Sequence, residues 1–396
     1  MRGEIPLGEL LLEIQVGVAG GAQSTPPADD EWGVLRLSAI TSDSYSATDA
    51  KRMTAHAAEV TKLELKARDV LMIRVNGAQH LVGATGCIKQ IRQRLVLSDL
   101  MYRLVPCRDR ATPEFLALAL GSLPVRRQIV AAMRGSSGQF QLPKSEVRAL
   151  TVPDVSLAEQ RRIVTAHDAI ERRITSLAEA GAKLGTVRRG IVDRLVAGPR
   201  MQMKSLLVRR PKNGYSPVEV PEWTGLLTLG LGCLTPDGFR PRQLKHIPKS
   251  DQAQRFVISD GDLLMSRANT RELVGLVGLY KDVGQPCIYP DLMMRLTPDP
   301  EICLPEYLEL ALRTPTLRRA VQAGARGTSE SMVKISSELV ESLDVPVPSL
   351  EAQRRAVRAV AALDLRIARQ EERIEKLRVV QQGVTEDLLS GRVRAA

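Results

Sequence analysis

The chain has 396 residues, 44% hydrophobic and 26% charged, enough for two or more globular domains. Lysine and arginine outnumber aspartate and glutamate 56 to 45, a net charge of +11 that favours a polyanionic partner. No run of about 18 apolar residues occurs, the start "MRGEIPLGELLLEIQ" has no signal-peptide core, and the five cysteines form no Cys-x-x-Cys pair, so a membrane span, a disulfide frame and a zinc site are excluded and a reducing cytoplasm is expected.

Aromatic residues make up only 3%, so stacking platforms for single strands or RNA are not expected, and duplex DNA is the favoured polyanion. The first strongly patterned segment is "RDVLMIRVNGAQHLVGATG", Arg68 to Gly86. Its apolar run after a charged turn reads as a short strand over Asp69–Val75, followed by a turn carrying Asn76, Gln79 and His80. Pro113 and Glu114 are first-turn residues and open a helix over "PEFLALALGSLPVRRQIVAAM". "RGSSGQFQLPKSEV", Arg134 to Val147, reads as a loop, and "VPDVS" closes the mixed part. Ser156 and Glu159 then have the spacing of a capping box. Behind them a heptad position reads Ile163, Ile170, Leu177, Leu184, Ile191, with His167, Ile174, Gly181, Arg188, Leu195 four residues on. About 40 residues at roughly 1.5 Å each predict a helix of about 60 Å. Gly198 is its expected C-cap, and residues 199–222 hold a linker and the first strand of a second mixed domain.

The same order recurs at an offset of 192 or 193. "GDLLMSRANTRELVGLVG", Gly261 to Gly278, answers the first segment, with Asp262 at the place of Asp69. "PDLMMRL" answers "SDLMYRL", "LPEYLELALRTPTLRRAV" answers "TPEFLALALGSLPVRRQI", and "RGTSESMVKISSEL" answers "RGSSGQFQLPKSEV". "VPVPSLEAQRRAV" answers "VPDVSLAEQRRIV". The second heptad reads Ala356, Leu363, Gln370, Leu377, Val384 with Val360, Ile367, Ile374, Gln381, Leu388, and Gly391 ends it. The period is too long for a solenoid, so this is a duplication. Two similar domains in one chain imply pseudo-two-fold symmetry, which suits a pseudo-symmetric target as a dimer suits a palindrome. The fold class expected is α+β. Two mixed α/β domains, 1–153 and 199–346, alternate with two long helices, 154–198 and 347–396, able to pair as a coiled coil.

Catalytic signatures are missing. There is no phosphate loop, Gly230-Leu231-Gly232 lacks the third glycine of a dinucleotide fingerprint, and no carboxylates cluster as at a nuclease metal site. His56, His80, His167 and His246 have no metal-ligand spacing, and His167 sits in the heptad seam as a packing residue. No metal site and no enzyme activity are expected. Arg267, Asn269, Thr270 and Arg271 are side chains a DNA reader would use, since Arg bridges guanine O6 and N7 and Asn bridges adenine N6 and N7. Arg74, Asn76 and Gln79 stand in the first copy. Ser136, Ser137 and Lys144, and Thr328, Ser329 and Lys334, belong to loops of phosphate-binding composition. All of these residues equally fit turns with solvated side chains.

Mixed domain, Pro-marked segment, Gln-Arg-Arg helix, and the whole again: this order resembles the DNA-specificity (S) subunit of type I restriction–modification systems. The residues that carry the likeness are "GSSGQFQLPKSEVRALTVPDVSLAEQRRIV" through to "RLVAG", "GDLLMSRANTRELVG", and "GTSESMVKISSELVESLDVPVPSLEAQRRAV" through to "DLLSG". The likeness spans nearly the full chain, leaving the first 65 residues and about Pro199–Ser259 unmatched; Ala352 stands where the first copy has Glu159, with the acid moved to Glu351. The resemblance implies target-recognition domains that each read one half of a split duplex site, with the helices packed antiparallel as spacers. It implies docking of two modification subunits that methylate adenine with S-adenosylmethionine, and of restriction subunits using ATP and magnesium, with no cofactor on this chain. The seam residues Ile163, Ile170, Ile174, Leu177, Leu184, Ile191, Leu363, Ile367, Ile374, Leu377 and Leu388 are then the candidates for helix pairing and partner docking. The rival readings are a coiled-coil adaptor or recognition subunit of another DNA-defence complex, and an enzyme with an unrecognised site.

Overall fold

The structure, a computed structural model, describes residues 2–19, 25–40, 49–53, 61–135, 138–329 and 332–394. They fall into two compact units, Met1–Ala178 with Glu372–Ala396, and Glu179–Glu371.

The first unit contains β1 (Glu4–Pro6), β2 (Leu11–Val16), β3 (Gly33–Leu35), β4 (Ala50–Arg52), β5 (Val70–Ile73), β6 (Val75–Asn76), β7 (Thr85–Cys87), β8 (Leu95–Val96) and β9 (Met101–Pro106). Helices α1 (Pro113–Gly121) and α2 (Leu123–Ala132) come next, then β10 (Phe140–Gln141), α3 (Lys144–Ala149), β11 (Thr151–Pro153) and the long α4 (Leu157–Leu195). The main sheet has the order β2-β9-β5-β7; β4-β3-β8, β6-β10 and β1-β11 complete the pairing. Strand β5 is buried at every residue. Val70 and Met72 join one core with Leu104, Phe115, Leu116 and Ile129, while Leu71 and Ile73 join another with Leu35, Ile40, Leu95 and Met101. A strand covered on both faces reads as an unbroken apolar run, which explains the "DVLMIRV" pattern.

The second unit repeats this plan. It contains β12 (Arg200–Gln202), β13 (Leu207–Asn213), β14 (Leu227–Leu229), β15 (Leu234–Thr235), β16 (Gly238–Phe239), β17 (Leu244–His246), α5 (Asp251–Gln254), β18 (Leu263–Ser266), β19 (Ala268–Asn269), β20 (Val277–Leu279), β21 (Cys287–Ile288) and β22 (Met293–Pro298). Then come α6 (Pro305–Leu312), α7 (Pro315–Gly324), β23 (Arg326–Ser329), β24 (Met332–Lys334), α8 (Ser337–Glu341), β25 (Asp344–Pro346) and the long α9 (Leu350–Ser390). Its sheets run β13-β22-β18-β20, β17-β14-β21, β19-β24-β23 and β12-β25, with a β15-β16 hairpin added. In both units the middle strand of the three-stranded sheet pairs parallel on one side, β3 with β8 and β14 with β21. Residues 199–222, expected as linker plus one strand, hold both β12 and β13.

Three local expectations are corrected. The helix over 113–133 is two helices bent by 71°. Pro124 has no N–H to give the Leu120 carbonyl and its ring crowds that turn, so the first helix ends at extended Ser122 and the chain restarts with Pro124 in the first turn of the second. The capping box is half made: Ser156 Oγ accepts the Glu159 N–H at 3.4 Å, but the Glu159 carboxylate pairs with Arg2. Ser349 caps α9 in the same way, accepting from the Ala352 N–H at 3.4 Å, so the displaced acid does not matter. Finally, Gly391 directly succeeds α9 with φ +78°, a C-cap glycine, whereas Gly198 lies beyond the end of α4 with φ +152° against Pro348.

Within the first unit the start of α4 and the end of α9 run antiparallel: His167 Nδ1 lies 3.0 Å from Thr385 Oγ1, and Gln381 donates to Glu171 at 2.9 Å. Within the second unit the end of α4 and the start of α9 do the same, with Arg188 paired to Asp364. Ile163, Ile174, Leu177 and Leu388 are buried. Ile170, Leu184, Ile191, Leu363, Ile367, Ile374 and Leu377 are half-buried, as a two-helix seam leaves them. No single helix among the described residues is long and apolar enough to cross a membrane. The bent pair α1–α2 passes on length and composition, but Phe115, Leu116, Leu120 and Ile129 are buried in the first core.

Candidate nucleic-acid interface

Both candidate readers begin at the same turn. Gly261 enters β18 with φ +84°, and Arg68 holds the equivalent position before β5 with φ +71°, unusual for a residue with a Cβ. The next residue, Asp69 or Asp262, accepts a main-chain N–H from three residues upstream, Lys66 at 2.8 Å and Ser259 at 2.9 Å. The same carboxylates reach across the sheet to arginine, Asp69 to Arg103 at 3.1 Å and Asp262 to Arg295 at 3.2 Å. Burial raises the Asp69 pKa against the lowering pull of Arg103. The Gly-Asp motif is therefore scaffold.

The turn beyond the strand is held from behind. Arg318 donates to the Val274 and Glu272 carbonyls at 2.6 and 2.7 Å, and Arg126 makes the same fork to Val82 and His80. Burial lowers the pKa of both guanidinium groups, which stay charged. Gly275 and Gly83 sit under these forks with φ +71° and +77°; a Cβ there would lie 2.3 Å from Val321 and 2.6 Å from Ile129. The tip that carries the polar cluster is thus fixed in place.

The structure brings two distant motifs together at this tip. In the second unit Ala268 and Asn269 pair with Lys334 and Val333, so residues 268–269, 326–329 and 332–334 form one small sheet. In the first unit Val75 and Asn76 pair with Gln141 and Phe140. The predicted residues then separate by role. Arg267 is half-buried, and its guanidinium has no hydrogen-bond or ion-pair partner among the described residues. Arg74 is committed: it donates to the Asp99 carbonyl at 2.8 Å and lies 5.5 Å over the Tyr102 ring. Methionine, Met294, replaces that tyrosine in the second unit. Asn76 and Asn269 use their side-chain oxygens locally, accepting from Ala78 N–H at 2.8 Å and Thr270 N–H at 2.9 Å, and their amide N–H groups have no acceptor among the described residues. Thr270 is half-buried, and Arg271 donates to the Gln322 carbonyl at 3.4 Å. Gln79, Lys144 and Lys334 are exposed. Ser136 and Ser137 lie outside the described residues, as do the side chains of Thr328 and Ser329, whose backbone belongs to β23.

One signal in the Gln-Arg-Arg motif was missed. Gln160 is buried; its oxygen accepts from Thr112 N–H at 2.9 Å, and its amide donates to Arg110 and Val155 carbonyls at 2.8 and 3.0 Å. Gln353 makes the same three bonds to Leu304, Ile302 and Pro348. The motif ties each long helix to its mixed domain. Among the described residues no group of His, Cys, Asp and Glu could hold a metal ion. Burial pushes the thiols of Cys87, Cys287 and Cys303 up to about 12.

No protein-family model matches the chain. A chain from a solved type I restriction–modification system, described by its complex assembly and conformational transition, shares the fold with TM-score 0.62 over 98% of this chain and 97% of its own, at 19% identity. The S subunit of a type I system from M. genitalium shares it with TM-score 0.54 over 98% and 96%, at 12% identity. The chain has the type I S-subunit fold. Two curated relatives agree in part of the sequence: the Escherichia coli K12 EcoKI specificity subunit, 25% identical over 132 residues, and the Escherichia coli EcoEI specificity subunit, 22% identical over 161. These matches cover 33% and 40% of this chain but only 28% and 27% of the relatives' own lengths. In this S-subunit fold the main sheets and helix anchors repeat, the second unit adds the β15–β16 hairpin, and the β6–β10 and β19–β24 tips keep one backbone plan while differing in side chains such as Gln141 and Lys334.

Proposed function

We propose that the chain is the DNA-recognition subunit of a type I restriction–modification system, with no catalytic role of its own. Each unit reads one half of a split duplex site with the tip built on β6–β10 or β19–β24. The chain docks two modification subunits, which carry S-adenosylmethionine and methylate adenine. Restriction subunits using ATP and magnesium join the same assembly in the cytoplasm. The observation that carries this reading is the duplication of one scaffold whose two tips share Arg74/Arg267 and Asn76/Asn269 but otherwise bear different polar side chains, Gln79 and Gln141 in one, Thr270 and Lys334 in the other. Alike scaffolds suit alike partners, and unlike tips suit unlike DNA words.

The outward faces of the long helices support the docking of two equal partners. Arg162, Ala169, Arg173, Lys183, Val187 and Gly190 on α4 are exposed, and α9 has the same residue at each equivalent position, Arg355, Ala362, Arg366, Lys376, Val380 and Gly383, also exposed. Solvent positions are the least constrained by packing, so identity there points to a shared external contact.

The direct test is Arg267→Ala in the assembled complex, scored on duplexes altered in one half-site at a time. The expected result is relaxed selection in one half-site of about 1–3 kcal/mol, with the other half-site unchanged. Equal weakening on every duplex would reduce Arg267 to a phosphate or structural contact.

A further inference from the structure

The two tip sheets correspond residue by residue. Val75 faces Gln141 in the first unit, as Ala268 faces Lys334 in the second. The next residue along closes each sheet by the same bond, Leu142 N–H to the Arg74 carbonyl and Ile335 N–H to the Arg267 carbonyl, both at 2.9 Å. Gln141 and Lys334 therefore occupy one position. The offset of 192 that aligns Arg134 with Arg326 sets Lys334 against Leu142, whereas the offset of 193 that aligns Arg74 with Arg267 sets it against Gln141, as the pairing does. The second tip is one residue longer, since Arg134 meets Gln141 but Arg326 meets Lys334.

Both side chains are exposed, and neither has a hydrogen-bond or ion-pair partner among the described residues. Their surroundings differ. Arg134, across from Gln141, is neutralised by Glu146 at 2.8 Å. Arg326, across from Lys334, has no carboxylate partner among the described residues. Like charges directly opposite each other destabilise a sheet in isolation, and a polyanion removes that cost. A two-stranded ribbon fits the DNA major groove. There a glutamine amide bridges adenine N6 and N7, and a lysine bonds guanine O6 and N7.

Resting on the DNA-recognition reading, we propose that Gln141 and Lys334 are the equivalent base-reading positions of the two units, selecting adenine in one half-site and guanine in the other. The test is selection of bound sequences from a randomised duplex pool by the full chain with its modification subunits, as wild type, Gln141→Lys, Lys334→Gln and Lys334→Arg. Gln141→Lys should turn one adenine into guanine in one word, and Lys334→Gln one guanine into adenine in the other, each by about tenfold in preference. Lys334→Arg should keep guanine. Unchanged words with an even loss of affinity, or a lost preference without the new base, overturn the assignment while the DNA reading stands. A wild-type complex that enriches no split site overturns the DNA reading and this proposal with it.

Discussion

At the scale of single residues, charges inside the scaffold and charges at the tips do different work. Arg103 joins Asp69 and also donates to the Leu63 and Glu64 carbonyls at 3.1 and 2.7 Å. Arg103→Leu leaves half-buried Asp69 without its cation and should destabilise the first unit by about 2 kcal/mol, read as a shift of the denaturation midpoint. Arg295→Leu should do the same to the second unit. Gln160→Leu strands one N–H and two carbonyls and should cost about 3 kcal/mol; a variant as stable as wild type would remove the anchoring role. His167 makes a further residue-level prediction. Burial lowers its pKa, with Asp168 and Glu171 raising it and Lys89 lowering it, so the folded state holds the ring neutral. A folded pKa below the unfolded value means that stability is full above about pH 6.5 and falls as pH drops through the folded value. His167→Val, the residue at the equivalent Val360, should flatten the melting temperature between pH 7 and 5; an unchanged pH dependence would exonerate this histidine.

At the scale of elements, the strand β5 and the two long helices were legible from the sequence because each obeys a simple pattern, whereas the Gln160 and Gln353 anchors were not. The seam residues fell where a heptad places them. Proline at Leu177 should break α4, at about 3 kcal/mol for a mid-helix proline, and abolish partner assembly. The outward helix face was not legible, since exposed identity between copies only gains meaning once burial is known. Val187→Glu or Val380→Glu should each remove one partner subunit from the complex, and both together should remove two, as measured by the mass of the assembled particle. A particle of unchanged mass would clear this face of docking. The helix break at Ser122 was missed because apolar spacing continues across it, although Pro124 carried the signal. The register of the tips was missed for a different reason: the one-residue difference in loop length shows in the sequence only as a change of offset from 192 to 193, and cross-strand pairing fixes where it falls.

At the scale of the whole molecule, the duplication extends further than the sequence displays. Residues 2–16 and 200–213 share little sequence, yet β1 and β2 pair with β11 and β9 as β12 and β13 pair with β25 and β22. Topology is held by burial pattern and pairing, which many sequences satisfy. The two units differ in the segments before β5 and β18, in the β15–β16 hairpin of the second unit, and in side chains at the tips. The central claim is that the difference at the tips spells two DNA words. It is tested most directly by selecting bound sequences from a randomised duplex pool with the chain and its modification subunits assembled. The account predicts two different short words separated by a fixed gap. One continuous word, or no enrichment by a complex shown to be assembled, would contradict it.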